Sequence, residues 1–452
     1  MMYYTLSDEK KITYKIRFIF FISFISFISS LSAQEIYDLK RVLETGLERN
    51  YDIRIIRNEQ QIANNNATLG NAGILPVLDV GAGYNGSITD VEQTLTDGST
   101  TKNRSVFNQG ATIGLDLNWT AFDGFRMQTE YARLKEFQRM GEISTRLSIE
   151  NLISNLTSEY YNYVRQKLRL KNLEYAVSLS KERLRIVEAR YNIGSMSRLD
   201  LQQARVDFNA DSSNLIKQYE VVNTSAIGLN QLMALEDVSK KLTVCDTIIE
   251  STVLLNKQSL WEKTLAANAR LLLSERNKTL SELDLNAFQS RNFPYLKLNV
   301  GYGYTLNLYE ASNVKQQNNL GFNYGFTLGY NLFDGLNRNR EQKNARITIQ
   351  NRNLEHERLE LSLNADLSNV WMAYRNNLEL INLEKENLEA ARENYEIAIE
   401  RYRLGDLSGI ELREAQNSLL EAEERLLQAQ FNIKLCEISL FQISGQVTHY
   451  LE

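Results

Sequence analysis

Residues 322–332 read Phe-Asn-Tyr-Gly-Phe-Thr-Leu-Gly-Tyr-Asn-Leu. Every second residue from Phe322 to Leu332 is aromatic or aliphatic, and the residues between them are Asn, Gly and Thr. Alternation with a period of two predicts a β-strand that has one apolar face and one polar face. The apolar face must then meet either a packed core or another apolar environment.

Three more stretches alternate in the same way, at residues 78–84, 111–121 and 296–308. A tilted strand of about 9–11 residues spans a bilayer. Tyrosines on the apolar face, with small and polar residues on the other face, are typical of outer-membrane barrels. The alternative is a soluble β-sandwich whose apolar face is packed inside. In the outer-membrane interpretation, the polar stretches 91–109 and 309–319 connect the strands as extracellular loops.

Four strands are too few to close a barrel, because barrels of this type begin at about eight strands. An open sheet edge does not occur in lipid, since each unpaired backbone group there costs on the order of several kcal/mol. A membrane-spanning sheet of this kind therefore requires association of chains. Two copies would supply eight strands and three copies would supply 12.

Two motifs occur twice, and both copies lie 211 residues apart (333 − 122 and 402 − 191). Phe-Asp-Gly at 122–124 recurs at 333–335, and Tyr-x-x-Gly at 191–194 recurs at 402–405. A shared offset predicts two copies of one large unit. The predicted organisation is a first repeat at 34–234, a linker at 235–256, a second repeat at 257–445 and a tail at 446–452.

Each repeat is predicted to contain a helix, two strands, a very long helix, a tip turn and a shorter helix. The predicted bounds are 36–73, 77–121, 126–192, 193–197 and 197–234 in the first repeat, and 257–292, 295–333, 336–403, 404–408 and 408–445 in the second. The only two prolines, Pro76 and Pro294, stand at the two helix-to-strand switches, so no proline interrupts a long helix. At 1.5 Å per residue, the helix at 126–192 would be roughly 100 Å long.

Apolar residues recur every three or four positions along the last helix, which is typical of coiled-coil-like packing. The stripe consists of Leu412, Ala415, Leu419, Ala422, Leu426, Ala429, Ile433, Cys436, Leu440 and Ile443. Subtracting 211 gives the same stripe in the first repeat, where polar residues such as Asp211 and Gln218 interrupt it. The helices are therefore predicted to pair as long coiled-coil-like hairpins.

The composition argues against several classes of function. A zinc site built from Cys and His needs about three or four ligands close together, and the two histidines and two cysteines of the chain do not cluster in that way. We therefore predict neither an enzyme nor a cofactor. The net charge of −5 gives no indication of a nucleic-acid partner. Cys436 lies on the apolar stripe and is predicted to be a buried free thiol, although pairing with Cys245 stays open.

Residues 1–33 have the pattern of a secretory signal peptide. Basic residues at 10–17 precede the apolar run 18–31, and the small residues Ser32 and Ala33 follow. The alternative is a short transmembrane anchor, but the run is shorter than the roughly 20 residues of a comfortable span. The mature chain is predicted to begin near Gln34.

These features together resemble the TolC-like outer membrane efflux protein family. The resemblance covers nearly the whole mature chain. It rests on the duplicated Phe-Asp-Gly, on Arg190-Tyr191-x-x-Gly194 followed by Asp200-Leu201-x-x-Ala204, and on the second copy, Arg401-Tyr402-x-x-Gly405 followed by Glu411-Leu412-x-x-Ala415. It implies a mostly α fold with a membrane β-barrel part, internally duplicated. Four strands per chain would join a shared 12-stranded barrel in the outer membrane, above a periplasmic α-barrel.

The resemblance also implies a homotrimer that serves efflux or type I secretion without catalysing a reaction. Its partners would be outer-membrane lipid and, at the helical tips, a periplasmic adaptor and an inner-membrane transporter. The rival hypothesis is a secreted or surface coiled-coil protein that acts in adhesion or scaffolding. That rival explains the heptads, but it gives no reason for four strands of bilayer length or for a duplicated tip.

The same resemblance marks candidate site residues at the tips. Glu411 and Glu414 share one helix face and match an acidic ring at the pore entrance; the alternative is an ordinary solvated face. Asp200 and Tyr402 match a pair that latches neighbouring tip hairpins, whereas Tyr402 alone would suit a core position. Gly194 and Gly405 are predicted to end the long helices in left-handed turns and to form the adaptor-docking tips.

Overall fold

The computed structural model describes residues 36–246, 248–249, 255–312 and 314–451. The predicted signal peptide, residues 1–33, lies outside the described residues. Within them the helices are α1 (Leu39–Arg49), α2 (Tyr51–Asn66), α3 (Arg126–Asn192), α4 (Arg198–Leu232), α5 (Lys257–Ala267), α6 (Ala269–Ser290), α7 (Asn337–Leu404) and α8 (Gly409–Ile443). The strands are β1 (Ile36–Tyr37), β2 (Val77–Thr94), β3 (Thr100–Phe122), β4 (Thr243–Val244), β5 (Tyr295–Leu308) and β6 (Gln316–Gly329), and a 3-10 helix spans Val447–Leu451.

The four long strands form one antiparallel sheet in the order β2-β3-β5-β6. Its register places Val80, Leu115, Tyr302 and Phe322 side by side, and these side chains are 44–75% exposed. The neighbouring row consists of Asp79, Asp116, Gly301 and Asn323. The predicted alternation is confirmed: one face is apolar and exposed, and the other is polar. Among the described residues, β2 and β6 each pair with a single neighbour.

Two of the predicted helices are each divided in two. The single helix predicted at 36–73 is wrong, because α1 ends before Asn50, α2 starts at Tyr51, and α2 itself ends at Asn66. Buried Asn50 adopts a non-helical conformation and donates its side-chain amide to the Leu232 carbonyl (3.0 Å). The helix predicted at 257–292 is divided at buried Asn268, whose side chain caps α6 by accepting from two backbone N–H groups.

The contacts divide the chain into two compact units. One unit comprises residues 52–149 and 261–366 and contains the long-stranded sheet. The other comprises the described parts of 1–51, 150–260 and 367–452 and contains both tip turns. The long helices α3 and α7 contribute residues to both units. A search of the described helices finds none that combines the length and apolarity of a membrane span.

The described part of the predicted linker, 235–256, packs inside the tip-bearing unit. β4 pairs in parallel with β1. The Tyr163 hydroxyl donates to the Leu242 carbonyl (2.8 Å), and the Asn230 side-chain amide donates to the carbonyls of Val238 and Lys240 (both 2.8 Å). Cys245 is exposed and Cys436 is partly buried, and both are free thiols. Burial raises the pKa of Cys436.

Candidate functional site

The first tip is a tight turn between α3 and α4 that its glycine makes possible. Gly194 has a φ of 77°, in the left-handed region that favours glycine. Its N–H donates to the Tyr191 carbonyl (3.0 Å), and the Ser195 N–H donates to the Arg190 carbonyl (2.9 Å). These two hydrogen bonds form a Schellman motif, which satisfies carbonyls that the helix end leaves free.

The second tip repeats this geometry between α7 and α8. Gly405 has a φ of 93°. Its N–H donates to the Tyr402 carbonyl (3.2 Å), and the Asp406 N–H donates to the Arg401 carbonyl (3.0 Å). The two tips therefore have the same structure, repeated at the predicted offset of 211 residues.

A capping box starts the helix that follows each tip. At the first tip, the Ser197 N–H and hydroxyl donate to Asp200 Oδ2 (3.1 and 2.7 Å), and the Asp200 N–H donates to Ser197 Oγ (3.2 Å). At the second tip, Ser408 and Glu411 make the same three contacts, at 2.9, 2.7 and 3.3 Å. Such reciprocal bonds satisfy N–H groups that a helix start leaves unpaired. Asp200 and Glu411 thus have a structural role besides the latch role predicted for Asp200 and the pore role predicted for Glu411.

Glu411 and Glu414 are both exposed, on the same side of α8. The hydrogen bonds donated by the Ser408 backbone N–H and hydroxyl lower the pKa of Glu411. Glu414 makes no ion pair or hydrogen bond with the described part of the chain. Both carboxylates are therefore available to solvent at the start of the helix, and Glu414 has no competing structural role.

Four helices meet behind the tips in an apolar cluster, here called the tip core. Its members are Val187, Leu201, Ala204, Tyr395, Ala398, Tyr402, Leu412, Ala415 and Leu419. Tyr402 is fully buried, and its hydroxyl has no hydrogen-bond partner among the described residues. Burial raises the pKa of Tyr402, and the Asp200 carboxylate adds to the rise while Arg190 and Arg183 oppose it. Asp200 is close enough to act electrostatically, yet the two side chains form no hydrogen bond within one chain.

Arg190 connects the first tip to the second. Its Nη2 donates to the carbonyls of Tyr402 (3.1 Å) and Arg403 (2.9 Å), in the last turn of α7. Its guanidinium carbon also lies 5.3 Å from the centre of the Tyr402 ring. A cation at a helix C-terminus is favourable because the last carbonyls carry partial negative charge. Arg190 therefore holds the two tips of one chain together.

A buried polar bridge lies deeper in the tip-bearing unit. Asp211 interrupts the apolar stripe of α4 and accepts two hydrogen bonds from Arg413 of α8, both at 2.7 Å. The Ser180 hydroxyl of α3 donates to the same carboxylate. Asp211 is buried, and the Arg413 side chain keeps 20% exposure. The bridge ties three helices and both repeats together.

Large apolar side chains project into solvent at both tips. They are Ile193, Leu199, Leu404 and Ile410, each 77–80% exposed. They are mirrored across the repeats, because 193 + 211 gives 404 and 199 + 211 gives 410. Exposed apolar residues that cluster at one site are typical of a protein–protein contact.

The family of the chain follows from its match to a family model. The model of the outer membrane efflux protein matches residues 42–235 and 260–446, which is more than half of the chain. The chain belongs to the outer membrane efflux protein family. It is accordingly an outer-membrane protein, with its long helices in the periplasm.

Individual members of the family agree with this assignment. The outer membrane protein TolC of Vibrio cholerae is 20% identical over 428 residues, which cover 92% of each chain. The CmeC outer membrane channel of Campylobacter jejuni superposes with a TM-score of 0.79 at 16% identity, over 90% of this chain and 85% of that one. The open state of the MtrE outer membrane channel of Neisseria gonorrhoeae gives 0.71 at 16% identity, over 90% and 88%. The predicted fold class is confirmed.

Two features of this efflux-family chain escaped the sequence analysis as functional elements. Arg190 appeared only as part of a motif, and its place in the last turn of α3 is a signal for capping α3 itself, whereas its side chain bonds the last turn of α7. The Asp211–Arg413 bridge was visible only as a polar interruption of the stripe. Such an interruption indicates a buried partner, because a buried charge is costly unless it is paired.

Proposed function

We propose that three copies of this chain close a shared 12-stranded barrel and form a trimeric exit duct through the outer membrane. The observation that carries the proposal is the four-stranded sheet, with an exposed apolar face and two edge strands that each lack a second neighbour in the part of the chain that the structure describes. Pairing of β2 with β6 of the next copy removes both edges, as lipid requires. Three copies are favoured over two, because an interior of about eight strands is filled by side chains.

The tips are the proposed docking site for a periplasmic adaptor and, with it, an inner-membrane transporter. The glycine turns at Gly194 and Gly405 present the exposed pairs Ile193–Leu199 and Leu404–Ile410 in the same way. Two equivalent patches per chain would give six in a trimer. A partner built from repeated hairpins could occupy such an array with one kind of contact.

Glu411 and Glu414 are proposed to line the periplasmic entrance of the duct. Six carboxylates around a narrow opening would favour cations and repel anions. Asp200 and Tyr402 are proposed to restrain the closed tips. The buried Tyr402 hydroxyl has no hydrogen-bond partner among the residues that the structure describes, and this supports the assignment, because such a group gains a hydrogen bond if a neighbouring chain or a small rearrangement offers an acceptor. Small-molecule efflux and type I secretion would share this duct.

Planar-bilayer recording tests the duct. Purified full-length protein should insert from detergent and give stable, discrete conductance steps. If a well-folded sample never conducts, the duct proposal fails and a coiled-coil structural role becomes the better explanation.

Photo-crosslinking tests the docking site separately. A benzophenone amino acid at Leu404 should crosslink in cells to a periplasmic adaptor, identified by mass spectrometry. Leu354 is the matched control, because it is an exposed leucine on the same helix, far from the tip in sequence. Equal adaptor crosslinking from both positions, or none from Leu404, would contradict docking at the tips.

A further inference from the structure

A groove lies between α6 and α7 in the unit that contains the long-stranded sheet. Its volume is about 500 Å³. The lining residues of α6 share one face of that helix, and so do those of α7, because they recur at helical spacings. They are Arg270, Leu273, Ser274 and Asn277 of α6, and Arg352, Glu355, Arg358, Leu359 and Ser362 of α7. We name this feature the arginine groove.

The arginine groove has more positive than negative charge. Its lining has three arginines and one carboxylate, Glu355, which pairs with Arg352 of the same helix (2.7 Å). The side chains of Arg270 and Arg358 make no ion pair or hydrogen bond with the part of the chain that the structure describes. Two guanidinium groups are therefore available to an anion in the groove.

These two arginines lie at nearly the same level on the two facing helices. Gln342 Nε2 donates to the Phe288 carbonyl (3.5 Å), and His356 Nδ1 lies 3.2 Å from Ser274 Oγ. Between these contacts both helices advance 14 residues, from 342 to 356 and from 288 back to 274, so α6 and α7 run antiparallel in one register. Position 270 is then level with position 360, about 3 Å along the axes from position 358. One anionic group can therefore meet both guanidinium groups.

Arg270 also occupies an unfavourable position for a cation. It is the second residue of α6, whose first N–H groups are capped by the Asn268 side chain. The N-terminus of a helix carries partial positive charge, which disfavours a cation and favours an anion. A bound anion would offset this charge and the repulsion between the two arginines.

The first repeat has none of the three arginines at the equivalent positions. Helices α3 and α7 correspond at the offset of 211 residues. Helices α2 and α6 correspond at 218, which is the offset between the two prolines and between the asparagines that precede these helices (294 − 76 and 268 − 50). The counterparts of Arg352, Arg358 and Arg270 are Gly141, Leu147 and Asp52. The positive charge is therefore specific to the second repeat.

Direct packing of the helices takes the place of the charge in the first repeat. A Cβ on Gly141 would lie 3.4 Å from the Ala63 Cβ and 3.5 Å from the Gln60 Cα. Helices α2 and α3 are thus in contact where the second repeat has Arg352. The architecture that the two repeats share does not need the arginines, so a role in binding explains them better than a role in packing.

The other lining residues indicate the class of ligand. Guanidinium groups bind phosphate and similar oxyanions through paired N–H donors. Leu273 and Leu359 provide apolar contacts in the same groove. The volume of about 500 Å³ falls within the range of roughly 300–1,000 Å³ that is typical of sites for small organic molecules. A bare inorganic ion would leave the leucines in contact with water.

We propose that the arginine groove binds a soluble, amphipathic organic anion. Its oxyanion group contacts Arg270 and Arg358, and its apolar part lies on Leu273 and Leu359. Position 358 is 21 residues beyond the first residue of α7, which is roughly 30 Å along the helix from its strand end. A lipid headgroup at the sheet does not reach that far. The proposal goes beyond the duct, and it depends neither on conduction nor on the number of chains.

Isothermal titration calorimetry of the full-length protein in an uncharged detergent tests the groove, with 1-naphthyl phosphate as the probe. Protein-free micelles give the blank, and inorganic phosphate is the probe without an apolar part. Arg270→Ala combined with Arg358→Ala removes both unpaired guanidinium groups. Arg340→Ala combined with Arg375→Ala is the matched control, because both are arginines of α7 outside the groove, with side chains 63% and 65% exposed.

The wild type and the control variant should bind 1-naphthyl phosphate saturably, with affinities within about twofold of each other. The groove variant should bind at least about tenfold more weakly, and so should the wild type with inorganic phosphate. Absence of saturable binding to the wild type, or equal affinities of the groove and control variants, would overturn the proposal. Inorganic phosphate binding as tightly as 1-naphthyl phosphate would overturn the amphipathic class of ligand.

Far-UV circular dichroism checks that the groove variant is folded, as expected when exposed side chains without partners among the described residues are removed. Arg358→Gln alone provides a second test, because it keeps a polar side chain of similar length and removes one charge. It should weaken binding of 1-naphthyl phosphate at least about threefold. An unchanged affinity would count against the contact between Arg358 and the oxyanion.

Discussion

Replacing Asp211 with alanine tests whether the buried bridge holds the tip-bearing unit together. The substitution removes both hydrogen bonds to Arg413 and the one from Ser180. The Arg413 guanidinium is then left largely buried without its partner. Alanine itself fits this kind of position, because Ala422 is the fully buried equivalent in the second repeat.

The magnitude follows from the burial of the two groups. Removing one partner of a buried ion pair costs about 3–5 kcal/mol. Arg413 keeps 20% side-chain exposure, and Asp207 also acts on it electrostatically. We therefore expect a loss of about 2–3 kcal/mol, at or just below the lower end of that range. Adding Arg413→Leu removes the stranded charge and should bring the loss below about 1 kcal/mol.

Chemical denaturation of the detergent-solubilised protein, followed by far-UV circular dichroism, measures these changes. Glu400→Ala is the matched control, because Glu400 pairs with Arg403 at the same 2.7 Å but on the surface. An exposed pair contributes about 0–1 kcal/mol. If Asp211→Ala costs no more than Glu400→Ala, or if the effects of Asp211→Ala and Arg413→Leu simply add, the bridge does not stabilise the unit as argued.

Three further predictions concern the tips. Replacing Glu411 and Glu414 together with alanine should lower the cation preference measured from reversal potentials; unchanged selectivity would remove both from the pore lining. Tyr402→Phe or Asp200→Ala should raise single-channel conductance by loosening the tips; an unchanged conductance would mean that Tyr402 only packs in the core. Acidification should weaken the second capping box in unfolding experiments. The folded pKa of Glu411 lies below its ordinary 4.5, so its contribution is complete above that pH and is lost as the pH falls through the folded value; stability that is independent of pH in this window would contradict it.

The strands were predictable because their environment acts locally. A sheet that is exposed to lipid on one face has apolar residues at every second position of each strand. This pattern can be recognised within each strand, without knowledge of distant residues. The long helices were equally readable, since no proline interrupts them. The duplication then fixed the order of elements without any knowledge of the fold.

The helix breaks were not predictable for the opposite reason. Asn50 ends α1 while its side chain bonds the Leu232 carbonyl, 182 residues away. The bridge between Asp211 and Arg413 joins residues 202 positions apart. The capping roles of Asp200 and Glu411 were not predicted, although their signal is local: Ser197 and Ser408 stand three residues earlier in each case.

The mass of the detergent-extracted outer-membrane protein, measured by light scattering with correction for bound detergent, tests the shared barrel most directly. The account predicts a particle with three times the protein mass of one mature chain. A protein that leaves the membrane fraction without detergent as a soluble monomer would contradict the shared barrel. It would leave the edges of β2 and β6 without an explanation and would favour a coiled-coil rod.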